Sequence, residues 1–323
     1  MSKTLPEISK QINSSYIREV IEKNFVSIMP VWIPLQLAWV NNVYRTFHDY
    51  EKFMIIMHLL TKTFETYSKN FVKLNYEEYF DQNEVEIDTI NVTEISKSLN
   101  LPKETARRKI NELEGMGAIK RINKKFIVDK STWPNIKPQE TIKRMSFFLS
   151  TLSKMCFTEG LISQSFSSEN LIRTCKEYFS FVWKLYYEMQ IPFLLGYKEA
   201  FGDLESFHVC GICMSNDALN SKKIDNSKMS KKIYVEKYFF AEEKDFSGIN
   251  AMSISDITGI PRATVIRKLN KLIKEKYLKI DHKKHYSSTA TGDHKKKLLT
   301  VQNHTLDNLS KFAARIYNLS LMK

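Results

Sequence analysis

A gap-free self-match between two distant stretches constrains this chain more than any other feature of its sequence. Ile95-Ser-Lys-Ser-Leu99-Asn100-Leu101-Pro102-Lys103-Glu104-Thr105-Ala106-Arg107-Arg108-Lys109-Ile110-Asn111-Glu112-Leu113 lies over Ile254-Ser-Asp-Ile-Thr-Gly259-Ile260-Pro261-Arg262-Ala263-Thr264-Val265-Ile266-Arg267-Lys268-Leu269-Asn270-Lys271-Leu272. Both copies hold Pro-x-x-Thr-x-x-Arg-Lys-(Ile/Leu)-Asn-x-Leu, a run too long to arise readily by chance. A chain that writes one unit twice is expected to fold it twice. It then carries internally what other proteins obtain by pairing two subunits.

Each copy reads as helix, turn, helix and hairpin. In the first, Val92 to Leu99 is a short helix that Thr93 can cap, and Asn100-Leu101 is the turn. Pro102 is placed at the first position of the next helix, where its missing N–H costs nothing. Ala106, Ile110 and Leu113 then recur at i, i+4 and i+7 as one buried stripe, and Gly115 and Gly117 end the helix. Ile119–Ile122 and Phe126–Val128 flank Asn123-Lys124 as a two-stranded wing. The second copy repeats the series as Ile254–Thr258, Gly259-Ile260, Pro261–Lys274, and a hairpin from Tyr277 to about Tyr286.

Charge falls on the same two units. The chain carries a formal net charge of +13. Residues 90–130 hold ten basic and five acidic side chains, and residues 254–299 hold twelve and four. The other 27 basic and 27 acidic residues cancel. Excess positive charge confined to two repeated units is the footprint of a phosphate-binding face.

Weaker matches extend the duplication. Glu78-Tyr79-Phe80 pairs with Lys237-Tyr238-Phe239, and Ile90-Asn91 with Ile249-Asn250. Further upstream, Ile33-Pro34 and Phe47-x-Asp49-x-Glu51-x-Phe53 echo Ile191-Pro192 and Phe201-x-Asp203-x-Glu205-x-Phe207, with one helical turn of difference after the proline. Amphipathic stretches at Thr141–Met155 and Thr305–Met322 follow the hairpins. The fold expected is therefore mainly α, a tandem pseudo-repeat. Each half is a helical region, a winged helix-turn-helix with a small β-hairpin wing, and a trailing helix. Residues 1–160 form the first repeat and 161–323 the second. Tyr76–Asp88, Trp133–Pro138 and Ser215–Lys232 read as linkers.

A helix that reads DNA carries its base-contacting side chains near its N-terminus, opposite the packed face. Lys103, Glu104, Arg107 and Arg108 occupy that face in the first copy, and Arg262, Thr264, Arg267 and Lys268 in the second. An arginine can fork onto guanine O6/N7, and Glu104 can accept from cytosine N4. Ala263 stands where the second copy would need that acid, so the two half-sites need not be identical. Thr105 fits a phosphate contact. Arg121, Lys124 and Lys125 in one wing, and His282, Lys283 and Lys284 in the other, fit phosphate or minor-groove contacts.

Pro102-Lys-Glu-Thr-Ala-Arg-Arg108 and Pro261-Arg-Ala-Thr-Val-Ile-Arg267 resemble the Ser-Arg-Glu-Thr-Val-x-Arg of the cyclic-AMP receptor protein family of bacterial regulators. The resemblance covers about a quarter of the chain. It implies a winged fold and base contacts by Lys103, Glu104 and Arg108, and by Arg262 and Arg267. The nucleotide-binding β-roll of that family has no counterpart here, so its cyclic-AMP response does not carry over.

Other chemistry has little support. His208-Val-Cys210-Gly-Ile-Cys213 contains a CxxC, yet Cys210 and Cys213 fall over apolar helix positions Ile56 and Leu59, which points to core cysteines. The dense aromatics read as core packing. No nucleophile signature, metal-ligand spacing or Gly-rich phosphate loop is present, so neither catalysis nor a cofactor is expected. Four cysteines and no 18-residue apolar run suit a reducing cytoplasm. The reading is a transcriptional regulator that grips double-stranded DNA with two units as a built-in dimer. It would act as a monomer or homodimer, with RNA polymerase or a small-molecule effector open as further partners. A plasmid- or phage-type replication initiator, and a non-catalytic protein-interaction module, are the alternatives.

Overall fold

The computed structural model describes residues 11–87, 91–122, 125–132, 138–221, 229–244 and 246–322. It is mainly helical, with two three-stranded antiparallel sheets. The elements run α1 (Ser14–Lys23), α2 (Phe25–Phe47), α3 (Tyr50–Lys69), α4 (Tyr76–Asp81), β1 (Glu84–Glu86), α5 (Val92–Ser98), α6 (Lys103–Gly115), β2 (Ile119–Ile122), β3 (Lys125–Asp129) and α7 (Gln139–Thr158). They continue with α8 (Ser168–Glu177), α9 (Phe179–Phe201), α10 (Leu204–Ser221), α11 (Lys231–Val235), β4 (Ile249–Asn250), α12 (Ala251–Thr258), α13 (Arg262–Lys274), β5 (Leu278–Ile280), β6 (His285–Ser288) and α14 (Gly292–Leu321). The order of α1 to α7 is thus met again from α8 to α14.

Local chemistry matches as well. Asn13 and Ser167 cap α1 and α8 through their side chains. The α2–α3 corner turns through His48 at φ 50°, and the α9–α10 corner through Gly202 at φ 78°. Asp49 and Asp203 then cap the following helices, Asp49 accepting from the Glu51 and Lys52 amides and Asp203 from the Ser206 amide. Helices α2 and α9 each span 23 residues; α2 carries Pro30 and Pro34 and α9 carries Pro192, which sits one turn further along its helix than Pro34 does.

Packing between the halves is reciprocal. Helix α2 lies on α10 and α3 lies on α9; α1 lies on α14 and α7 on α8. Each pair is mirrored by the pair its counterparts form, the arrangement of an isologous two-fold interface. The α2–α10 crossing is close: a Cβ on Gly211 would come within 2.8 Å of Leu37 Cδ2. That approach gives Gly211 its place in the CxxC stretch. A buried polar cluster sits near the same seam, where the His208 ring bonds Tyr50 Oη and Asn41 Oδ1. Burial holds the imidazole pKa far down, at about 3, so the ring stays neutral.

One hydrophobic core runs through both halves, from Ile17 and Phe25 to Phe312 and Tyr317. The 160/161 boundary falls in the loop between α7 and α8, but the two halves interdigitate around that core. Two expected linkers are structured: Tyr76–Asp81 is α4, with Tyr76 and Tyr79 buried, and Ser215–Ser221 completes α10. The segment 133–137 lies outside the described residues. Among the described residues, no helix is long and apolar enough to cross a membrane.

Candidate nucleic-acid interface

The two repeated stretches fold alike down to single hydrogen bonds. Asn91 caps α5 by accepting from the Glu94 amide at 3.0 Å, and Asn250 caps α12 by accepting from the Ser253 amide at 2.9 Å. Asparagine, not Thr93, is therefore the cap. At the turn, Ser96 Oγ donates to the Leu101 carbonyl at 2.7 Å, and Ser255 Oγ to that of Ile260 at 2.8 Å. Asn100 and Gly259 take the left-handed position each turn needs, at φ 47° and 74°. Pro102 and Pro261 sit at the N-cap, one residue before the first helical position, both near φ −53°.

Helices α6 and α13 bury the stripes their sequences predict. Ala106, Ile110 and Leu113, and Val265, Leu269 and Leu272, are all fully buried. The hairpins β2–β3 and β5–β6 follow, and each gains a third strand absent from the sequence reading. β1 pairs with β3 (Val85 opposite Val128), and β4 with β6 (Ile249 opposite Tyr286). The additional strands fasten the hairpins to the chain that enters each unit.

Lys103, Glu104, Arg107 and Arg108 are exposed on α6, as are Arg262 and Arg267 on α13; Thr105 and Thr264 are half-buried. Lys268 departs from its expected role as a base reader. It is only 8% exposed, with its ammonium 2.7 Å from Asp203 and 3.0 Å from Glu205. Its counterpart Lys109 pairs with Asp49 in the same way. These two lysines anchor the units to the caps of α3 and α10. Lys271 adds a bond to Asp203 at 3.0 Å and one to the Phe201 carbonyl at 3.0 Å. Burial pushes the Asp203 carboxyl up, but bonds from Lys268, the Ser206 amide and Lys271 outweigh it and hold the pKa at about 2.

Electrostatically the units part company. Arg107 pairs with Glu104 at 3.0 Å, Arg108 with Glu112 at 3.7 Å and Arg121 with Glu114 at 2.6 Å. Lys120 lies 2.6 Å from Glu84 and 2.8 Å from Asp129, and Lys125 pairs with Glu86. In the second unit Arg262, Arg267, Lys274, Lys276, Lys279, Lys283 and Lys284 have no carboxylate within ion-pair distance among the described residues. Lys274, Lys276 and Lys279 were not among the residues singled out from sequence. Their signal was the unit's net charge, which does not say which cations stay unpaired.

The wings differ too. In the second, Asp281 accepts from the Lys283 and His285 amides at 2.9 Å, and Lys284 stands at φ 60°, so His282, Lys283 and Lys284 project from a tight exposed turn. In the first, Arg121 lies 5.1 Å from the Phe126 ring, Lys125 is exposed, and Lys124 is outside the described residues.

The cysteines contribute packing. All four are buried thiols, and burial pushes the pKa values of Cys156, Cys210 and Cys213 up. Among the described residues, no group of three or more His, Cys, Asp or Glu is placed to hold a metal. Comparison with protein-family models, curated proteins and solved structures gave no match.

Proposed function

We propose that this chain is a sequence-specific double-stranded DNA-binding regulator of transcription, built as a tandem pseudo-repeat of two winged helix-turn-helix units. The observation that carries the reading is the reciprocal packing of α2 on α10 and α3 on α9. With it, two units that share their helix-cap and turn hydrogen bonds are fixed to equivalent helix caps through Lys109–Asp49 and Lys268–Asp203. In DNA-binding dimers a two-fold axis presents two reading helices to half-sites about one helical turn apart, roughly 34 Å. Here the axis lies inside one polypeptide, so a single chain is the binding unit.

Arg262 and Arg267 are the base readers of the second unit; Lys103, Glu104, Arg107 and Arg108 serve the first. Lys283 and Lys284, with His282, hold phosphates. In the first unit Arg107 and Arg108 must leave carboxylates before they meet DNA, whereas Lys103 need not. The first unit therefore adds sequence choice, while the second supplies most of the grip.

Selection of bound duplexes from a random pool tests this directly. The expected product is an inverted site with half-sites about 10 base pairs apart, one half the more constant. Iterated direct sites would favour a replication initiator. Failure to enrich any sequence, together with no salt-dependent binding to DNA, would remove the proposal.

A further inference from the structure

Two positions on the outward face of α13 break its parallel with α6. In the first unit Glu104 and Arg107 form an exposed ion pair, the guanidinium 3.0 and 3.1 Å from the two carboxylate oxygens. At the same places the second unit has Ala263 and Ile266, three residues apart and therefore neighbours on the helix surface. The cap and turn hydrogen bonds of the units agree, so these side chains occupy equivalent positions. Both are exposed, and Ile266, at 39%, stands outside the core that holds Val265, Leu269 and Leu272. Both members of an ion pair in one unit are thus apolar in the other.

One exposed isoleucine means little by itself. Here its flanks give it meaning. Arg262 precedes Ala263 and Arg267 follows Ile266, both exposed and with no carboxylate within ion-pair distance among the described residues. Val265 and Lys268 turn inward, so the outward face is a small apolar patch between two bare guanidiniums. An apolar protein surface laid on that patch would desolvate both cations without recompense. A duplex meets both demands. Its major groove sets hydrogen-bond acceptors and phosphates around the bases, and the one methyl group it displays is that of thymine.

We propose that the second unit selects thymine, with Ala263 and Ile266 packed on 5-methyl groups beside the bases that Arg262 and Arg267 take. The first unit has no such face: at the matching positions Glu104 and Arg107 call for hydrogen-bonding edges. The half-sites then differ at the same step, one methyl-bearing and the other not. This assignment rests on the DNA-binding function proposed above and adds to it the base that tells the half-sites apart.

Uracil in place of thymine removes the methyl and leaves the hydrogen-bonding edge unchanged. Anisotropy titration of the full chain is made on the duplex selected from a random pool, with uracil in one half-site at a time. Binding should weaken threefold or more with uracil in one half-site and hardly at all with uracil in the other. Ile266→Ala should abolish that penalty, and so should Ala263→Glu with Ile266→Arg, which restores the first unit's pair. Absence of thymine from both half-sites, an equal response to uracil in the two, or a penalty that survives either variant overturns the thymine assignment while specific DNA binding stands. The comparison of thymine with uracil needs no variant, so it decides even if a substitution impairs folding. A chain that selects no duplex removes the function proposed above, and this assignment with it.

Discussion

The two repeated units share their backbone and differ in what surrounds their charges. In the first, beyond the Lys109–Asp49 anchor, Glu84 and Glu86 come from chain ahead of α5 and fold back onto Lys120 and Lys125. In the second, Asp203 and Glu205 hold only the anchoring lysines, and the outward cations of α13 and its wing stay bare. Exposed ion pairs are worth about 0–1 kcal/mol each, so phosphate can displace them. On the proposed function, every such displacement would subtract from DNA binding by the first unit. Equal folds therefore do not mean equal affinity, and local net charge overstates the field of a unit whose neighbours are acidic.

The largest expected effect separates the units most clearly. Arg262→Ala with Arg267→Ala should cost about 1–3 kcal/mol per lost bidentate contact on a selected site, and far less on random duplex. Arg107→Ala with Arg108→Ala should cost less, since both already share carboxylates. Fluorescence anisotropy on the two duplexes measures this, and the reverse order would break the comparison.

Salt dependence comes next. Replacing Lys283 and Lys284 with Gln should flatten the slope of log K against log salt by about 0.9 for each phosphate lost. Arg121→Gln and Lys125→Gln should flatten it less. Equal changes in the two wings would mean that the pairing seen here does not persist on DNA.

Acid should test the anchor of the second unit. The Asp203 pKa is depressed to about 2 in the folded chain. Its contribution is thus complete above the unfolded value of about 3.9 and is lost as pH falls toward 2. With the carboxylate about a third exposed, roughly 1 kcal/mol is expected. Chemical denaturation between about pH 4 and pH 2 should show the loss, and Asp203→Asn should flatten that pH dependence. An unchanged profile would detach Asp203 from the anchor.

The smallest effect has the opposite sign. Glu104→Gln removes the Arg107 ion pair and should tighten DNA binding by a few tenths of a kcal/mol. Weaker binding on a selected site would instead reveal Glu104 as a reader of cytosine.

Much of this fold could be read from local periodicity. The stripes Ala106–Ile110–Leu113 and Val265–Leu269–Leu272, the left-handed turn residues and the β2–β3 hairpin follow from spacing and residue type. Strands β1 and β4 could not, because three residues and two are too short to show alternation. The role of Lys268 was partly legible: three positions beyond Val265, it falls on the inner face of α13. Its partner Asp203 lies 65 residues upstream, and no local pattern announces a contact that only the corner before α10 creates. The first turns of α14 are polar, with His294-Lys-Lys-Lys297, so the amphipathic signal at Thr305 begins well after the helix does.

Holding two partners on one thread frees them from each other's history. A subunit that pairs with its own copy passes every substitution to both arms at once, so neither can sharpen without the other. In this chain one arm's cations meet acids where the other's stand bare, a difference that identical subunits could not hold. Nor can dilution part the arms, which lets a cell keep such a molecule scarce without losing the pair.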